Sequence, residues 1–241
     1  MVNKELVKKK FAKSFKTYDK NAIVQKHMAE FLLKNLINVN KNFDKVLEIG
    51  YGTGLLTKEI KSNLIFKELF LNDLNEDFRQ DNFLLGDCEE IEFPKNLDLI
   101  ISNATFQWTQ NFPLFCEKVN LSLGHKGVFA FTIFEEGNFY QIKEITGKSL
   151  KYYTKFQIEE ILNKNFQIIY SRAETINLEF DSAKDILKHL KSTGVNALEK
   201  INWTKKDLQE FGGKYNNFKT NNGKFVLTYK PLYFICAKID F

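Results

Sequence analysis

Residues 46 to 54 read Val-Leu-Glu-Ile-Gly-Tyr-Gly-Thr-Gly, an apolar strand with an embedded acid, followed by glycine at 50, 52 and 54. A strand that runs straight into alternating glycines must turn tightly, and the missing side chains let its backbone press against a ligand. A helix is expected to open at Leu55. Many nucleotide binders share a glycine-rich strand–helix turn, so the spacing matters. Here it is G-x-G-x-G, with Glu48 two residues before the first glycine. A dinucleotide needs the helix N-terminus free for pyrophosphate, where a carboxylate is unfavourable. A cationic ligand carrying an amino acid and a sulfonium tolerates that acid.

Two further strand ends follow in order. Phe66 to Leu71 reads as a buried strand ending in Asn72-Asp73, and Asp73 lies 73 − 54 = 19 residues past the last glycine. That is where such an architecture puts an acid on ribose hydroxyls. A third strand, Asn82 to Leu85, ends in Gly86-Asp87-Cys88-Glu89, and Asp87 there can accept from an adenine amine. Cys88 is assigned to the same site as a small packing residue rather than a nucleophile. Each acid alone reads as a solvated loop residue. Together with the glycine turn, the three point to an adenosyl ligand, and Glu48 with Gly50, Gly52 and Gly54 favours S-adenosyl-L-methionine over NAD.

Downstream, Leu97 to Ser102 reads as a central parallel strand, apolar after Asp98. A helix over 112–123 stops at Gly124, and Lys126-Gly127 turns into a strand from Val128 to Phe134. Helical stretches near 137–147 and 155–163 lead to a strand from Phe166 to Tyr170. Lys224 to Lys238 alternates and carries Pro231, which suits an antiparallel strand with a bulge or exposed edge. The pattern predicts an α/β, doubly wound, Rossmann-like sheet of seven strands, mostly parallel with an antiparallel last strand, plus helical lid elements. One domain is expected over 1–241, with a helical cap at 1–40, a cofactor core at 43–180, a helical insertion at 181–222 and the final strand at 224–239. The two helices before residue 40 and the insertion are expected to cover the crevice at the carboxyl ends of the strands.

A chain of 241 residues with 44% apolar content buries enough for one such domain. Its three cysteines lack close spacing, which fits a reducing cytoplasm, and its three histidines are scattered, so no metal site is expected. No apolar segment suggests a signal peptide or a membrane span. Residues 1–26 hold eight lysines against Glu5 and Asp19, a net of 8 − 2 = +6, so the rest of the chain carries +5 − 6 = −1. This is either a solvated helix face or a landing patch for an acidic partner. Nucleic acid fits less well, because the strip has no arginine and few aromatics interleaved for base contact.

The fourth strand ends in Ser102-Asn103-Ala104-Thr105-Phe106-Gln107-Trp108. Base-methylating enzymes hold a flipped base with a Pro-Pro-aromatic turn there, and Ala104-Thr105 departs from it. Phe106 and Trp108 suit a core, whereas Gln107 between them has less structural reason to be present. The run from Ile101 to Trp108 resembles the post-strand signature of the malonyl-[acyl-carrier protein] O-methyltransferase family of biotin synthesis. The opening Phe11-Ala12-Lys13-Ser14-Phe15 with Tyr18, Asp19, Ala22 and Gln25 is similar to the same family, as are Leu190-Lys191-Ser192-Thr193-Gly194-Val195-Asn196 and Leu227-Thr228-Tyr229. The resemblance spans residues 11 to 238. Tyr51 departs from it, standing where the family usually has a small residue.

The resemblance implies methyl transfer from S-adenosyl-L-methionine, leaving S-adenosyl-L-homocysteine, to the free carboxylate of malonyl-[acyl-carrier protein] or malonyl-CoA. It puts Asn103 in the cofactor site and Tyr18, Gln107 and Trp108 around the reacting groups. A malonyl carboxylate is ionised at neutral pH, so no general base is required. Its counter-charge is open among Lys148, Lys151 and Arg172. A methyltransferase of another small acid or of a quinone precursor, and a non-catalytic cofactor-binding protein, are the competing readings.

Overall fold

The computed structural model describes residues 3–76, 81–194 and 204–239. Helix α1 (Lys4–Asn21) starts at Asn3, whose side chain accepts from the Leu6 N–H, and gives way to α2 (Ile23–Val39) at the single residue Ala22. That break lets the two helices take different surfaces. Helix α2 lies on one face of the sheet, with Leu32, Leu33 and Leu36 buried against Val46 and Leu99. Helix α1 instead crosses the end of the sheet, about 27 Å long at 1.5 Å per residue. Covering the crevice therefore falls to α1 and not, as expected, to both helices.

The chain continues as β1 (Asn42–Ile49), α3 (Leu55–Asn63), β2 (Ile65–Asp73), β3 (Phe83–Leu85), β4 (Leu97–Ser102), α4 (Phe112–Ser122), β5 (Leu123–Phe134), α5 (Tyr140–Thr146), α6 (Lys155–Leu162) and β6 (Phe166–Ala173). Then come β7 (Ile176–Phe180), α7 (Ala183–Ser192), α8 (Lys205–Tyr215), β8 (Phe225–Tyr229) and β9 (Pro231–Lys238). Seven strands form one sheet in the order β3-β2-β1-β4-β5-β9-β6. Neighbours from β3 to β5 are parallel, and β9 runs antiparallel to both β5 and β6. The strand order reverses between β1 and β4, and such a switch point leaves a crevice at the carboxyl ends of the strands.

Alternation along the strands builds a core on each face. Val46, Leu99 and Ala130 face α2 and α3, whereas Leu47, Ile100, Phe129 and Phe131 face α4 and α6. The second face is rich in phenylalanine: Phe106, Phe112, Phe115, Phe129, Phe131 and Phe234 are at most 2% exposed. Each such burial contributes roughly 1.5–3 kcal/mol by area.

Four local expectations are corrected. Asn82 adopts φ +56°, outside strand geometry, so β3 begins at Phe83. Gly124 does not stop α4: the helix ends at Ser122, and residues 124–127 form an irregularity inside β5, with Lys126 at φ +57°. The last segment is two strands. β9 starts at Pro231, where a missing N–H is tolerated, and lies between β5 and β6 rather than at an edge. β8 instead pairs with β7, which the sequence reading missed, in a separate two-stranded sheet. Together with α5, α7 and α8 these strands bury Ile142, Ile186, Leu190, Phe211, Leu227 and Tyr229 in a third cluster.

Candidate active site

The turn after β1 is held from below by Asn72. Its carbonyl accepts from the N–H groups of Gly50 and Tyr51, both at 2.9 Å, and its amide donates to the carbonyls of Leu84 and Gly86. One buried residue, through its backbone carbonyl and its side-chain amide, thus ties β1, β2 and the end of β3 together. Gly50, Gly52 and Gly54 all have positive φ, and Gly54 caps α3. The first two glycines serve different needs. A Cβ on Gly50 would lie 2.1 Å from Thr105 Oγ1, so that glycine lets the β4 turn approach. A Cβ on Gly52 would meet no atom nearer than the Gly50 carbonyl oxygen at 3.9 Å, so its open side faces the cleft.

Around this turn lies a cleft of about 960 Å³, counting the space open at its mouth. Gly50 and Gly52 form its floor, with Asp73 from β2 and Asp87 and Cys88 after β3. Asn103, Ala104, Thr105 and Trp108 come from the turn after β4, and Lys4, Val7, Lys8, Phe11, Phe15 and Tyr18 roof it from α1. Those α1 residues recur every three or four positions, so they share one helical face. The Phe11 ring meets Trp108 edge-on, with centroids 6.0 Å apart, and closes the roof onto the β4 turn. Ala104 sits at φ +51°, held by bonds from its N–H to the Thr132 carbonyl and hydroxyl oxygens. A non-glycine residue in that region is strained, which is common where a turn must present a site.

The Asp73 carboxylate accepts from the Gly52 N–H at 2.8 Å and from the Asn75 N–H at 2.9 Å. Burial lifts its pKa above the ordinary value, against the pull of those N–H groups. Asp87 accepts from the Glu89 N–H and is ion-paired with Lys4, which also bonds Glu89. Glu89 in turn accepts from the N–H groups of Gln110 and Asn111 ahead of α4. Lys4 thus latches the start of α1 across the Asp87 end of the cleft, a contact the sequence reading missed. Burial pushes the Cys88 thiol up to about 12, so it stays a thiol at neutral pH.

Three assigned residues point elsewhere. Glu48 is wholly buried beneath the turn and does not line the cleft; its Oε2 accepts from the Thr57 hydroxyl of α3 at 2.6 Å. Burial raises its carboxyl to about 8, so at neutral pH it is mostly protonated and supplies no charge to a sulfonium. Gln107 is also off the cleft wall, its amide donating to the Ala104 carbonyl at 2.6 Å to close the β4 turn. Asn103 reaches the cleft, but its side chain is a brace, donating to the Gln25 carbonyl of α2 and accepting from Thr132 of β5. Trp108, by contrast, is on the wall, with its indole N–H buried and lacking a hydrogen-bond partner.

Tyr18 lies at the far end of the roof, its hydroxyl pKa raised by burial. Behind it stands a polar group the sequence reading did not assign. The Tyr229 hydroxyl meets His189 Nε2 at 2.6 Å, and burial lowers His189 to about 4, so the imidazole is neutral. Tyr51 turns away from the cleft; its ring leans over Gly54 and meets Phe83 edge-on. Lys148 and Lys151 are exposed and off the cleft, and Arg172 stacks on Phe31 at 4.7 Å on the sheet's outer side. None of the three faces the cleft. Of the expected lid, the insertion contributes no cleft-lining residue among the described ones; α7 instead props α1, with Thr17 donating to the Ser192 carbonyl at 3.2 Å. Val195 and Asn196 lie outside the described residues.

The glycine turn, both acids and the strand order make this the ligand crevice of a class of folds, and comparison with known proteins narrows it. A family model described as a methyltransferase domain matches residues 47–131. A malonyl-[acyl-carrier protein] O-methyltransferase of Calditerrivibrio nitroreducens is 43% identical over 235 residues, covering 96% of each chain. The chain belongs to the malonyl-[acyl-carrier protein] O-methyltransferase family. A second member, from Bacteroides thetaiotaomicron, is 36% identical and covers 98% of this chain and 99% of its own. Among solved structures, a putative methyltransferase of Bacillus halodurans superposes with a TM-score of 0.62 at 14% identity, covering 86% of this chain and 99% of its own, which speaks for the fold alone. In this O-methyltransferase family member, the matched methyltransferase domain begins within β1, at Leu47, and contains all of β4, whereas α1, the roof of the cleft, precedes it. No helix among the described residues is long and apolar enough to cross a membrane.

Proposed function

We propose that this protein transfers a methyl group from S-adenosyl-L-methionine to the free carboxylate of a malonyl thioester, carried on acyl-carrier protein or on CoA, in the cytoplasm. The observation that carries this reading is one cleft, lined by Gly52, Asp73 and Asp87 and by the aromatic side chains of Phe11, Tyr18 and Trp108, in a member of this family. The residues present fit the donor. Asp73 would accept from the ribose hydroxyls, Asp87 would accept from the adenine amine once Lys4 yields, and Gly52 leaves room for the amino-acid end.

The donor supplies an electrophilic methyl on a sulfonium. The chain's own task is to align the carboxylate oxygen with it and exclude water, because hydration masks a carboxylate's nucleophilicity. The carboxylate is already ionised, so no side chain has to remove a proton. Tyr18, protonated at neutral pH, would donate a hydrogen bond to that carboxylate, while Phe11 and Trp108 keep the roof dry. The test is mass spectrometry of malonyl-[acyl-carrier protein] incubated with the purified protein and S-adenosyl-L-methionine. A gain of one methyl on the malonyl group is expected; an unmodified carrier sinks the reading.

A further inference from the structure

The two faces of α1 are chemically opposite. Val7, Phe11, Phe15 and Tyr18 roof the cleft. At 3.6 residues per turn, Lys9, Lys13, Lys16 and Lys20 fall on the far side in one row. All four are exposed, and among the described residues none is ion-paired. Lysines nearby are engaged: Lys4 with Asp87 and Glu89, Lys26 with Glu30, Lys58 with Asp19. Like charges three and four residues apart destabilise a helix, so an uncompensated row of four is a cost that an anionic partner removes.

A second row lies alongside. Lys184, Lys188 and Lys191 are exposed on one face of α7, and among the described residues only Lys188 of the three is ion-paired, with Asp185. The Thr17 bond to the Ser192 carbonyl brings the end of this row, at Lys191, to the α1 surface. The charge is concentrated here: the first 26 residues carry +6 and the rest of the chain −1. The row contains lysine only, without the arginine and aromatic contacts typical of nucleic-acid grooves.

We propose that the outer face of α1, extended by the α7 row, is the docking surface for an acidic face of the carrier protein. This rests on the reaction proposed above. One helix then serves both events, its outer face holding the carrier while its inner face closes over the malonyl group delivered by the carrier's arm. Clustered charge of this kind steers association and sets partner choice.

The experiment uses the full chain with Lys9, Lys13, Lys16 and Lys20 replaced by Glu, and a milder variant with Gln at the same positions. Two quantities are measured: binding of fluorescently labelled malonyl-carrier protein by anisotropy at low and high salt, and kcat/KM for malonyl-carrier protein and for malonyl-pantetheine, the arm without protein or phosphate. Carrier binding and carrier kcat/KM should fall by at least about tenfold in the Glu variant and less in the Gln variant, with the largest difference at low salt. Malonyl-pantetheine turnover and S-adenosyl-L-methionine affinity should be unchanged. Unaltered carrier binding overturns the proposal, and so does an equal loss on both substrates. If the unmodified protein binds the carrier but methylates neither substrate, the reaction is wrong while the binding measurement still decides the docking surface.

Discussion

The Asp73 carboxylate accepts the Gly52 backbone N–H at 2.8 Å, so the acid at the tip of β2 holds the glycine turn that follows β1. The two parts of the sequence motif are one mechanical unit. The acid proposed to bind a ribose also anchors the loop that lines the cleft beside it.

Asp73→Ala should therefore weaken S-adenosyl-L-methionine by at least tenfold, since a hydrogen bond to a charged group contributes about 1.5–3 kcal/mol. Because Gly52 and Asn75 also lose an acceptor, the melting temperature should drop as well. Asp73→Asn keeps an acceptor for one N–H and loses the charge, so it should fall between. Titration calorimetry on both variants separates the roles, and wild-type affinity in both removes Asp73 from the site.

The glycines should part company in their substitution phenotypes. Gly52→Val fills the cleft side of the turn and should abolish cofactor binding while leaving a folded protein, at a backbone cost of about 1–2 kcal/mol for its φ of +54°. Gly50→Ala drives a Cβ into Thr105 and should first lower thermal stability. Adding Thr105→Ala should recover part of that loss. No recovery in the double variant would mean the contact is not what Gly50 protects.

Tyr18→Phe should lower kcat while cofactor affinity holds, the mark of an interaction made mainly in the reacting complex. Because burial keeps the phenol protonated well beyond neutrality, the rate should show no ionisation of Tyr18 between about pH 6 and 9. A chain lacking residues 1–20 should lose turnover. Full activity in that chain would remove the α1 lid from the mechanism.

Two buried groups should give stability opposite slopes with pH. His189 titrates at about 4 in the folded protein against 6.5 for an ordinary histidine. Between those values the unfolded chain binds the extra proton, so stability falls as pH drops from 6.5 towards 4, by roughly 3 kcal/mol in all. Glu48 titrates at about 8 against 4.5. There the folded protein holds the extra proton, so stability falls as pH rises through 4.5 to 8. Denaturant melts of Glu48→Gln and His189→Gln should each flatten one limb. If Glu48→Gln leaves the neutral-to-alkaline slope intact, Glu48 is ionised in the fold.

The element order was legible in the sequence because it rests on neighbours along the chain. The glycines at 50, 52 and 54 demand positive φ whatever surrounds them, and the apolar run from Leu97 to Ser102 reads as a central strand by composition alone. The acids Asp73 and Asp87 could be placed because a strand end and a turn carry their side chains to the same edge of the sheet. The family was legible in short runs such as Ile101 to Trp108, whose backbone turn is local.

Partners distant in sequence decided the remainder. β7 became a strand only because residues 225–229, some fifty positions on, supply its hydrogen bonds, and Pro231 then starts a separate central strand. Glu48 and Gln107 look like ligands in a linear reading, yet Thr57 and the Ala104 carbonyl claim them. Lys4 gave no sign that it latches Asp87 from 83 residues away. Periodicity and backbone torsion are properties of adjacent residues and survive in the sequence. The destination of a polar side chain depends on which donors and acceptors the packed elements bring within 3 Å, and only the tertiary structure decides that.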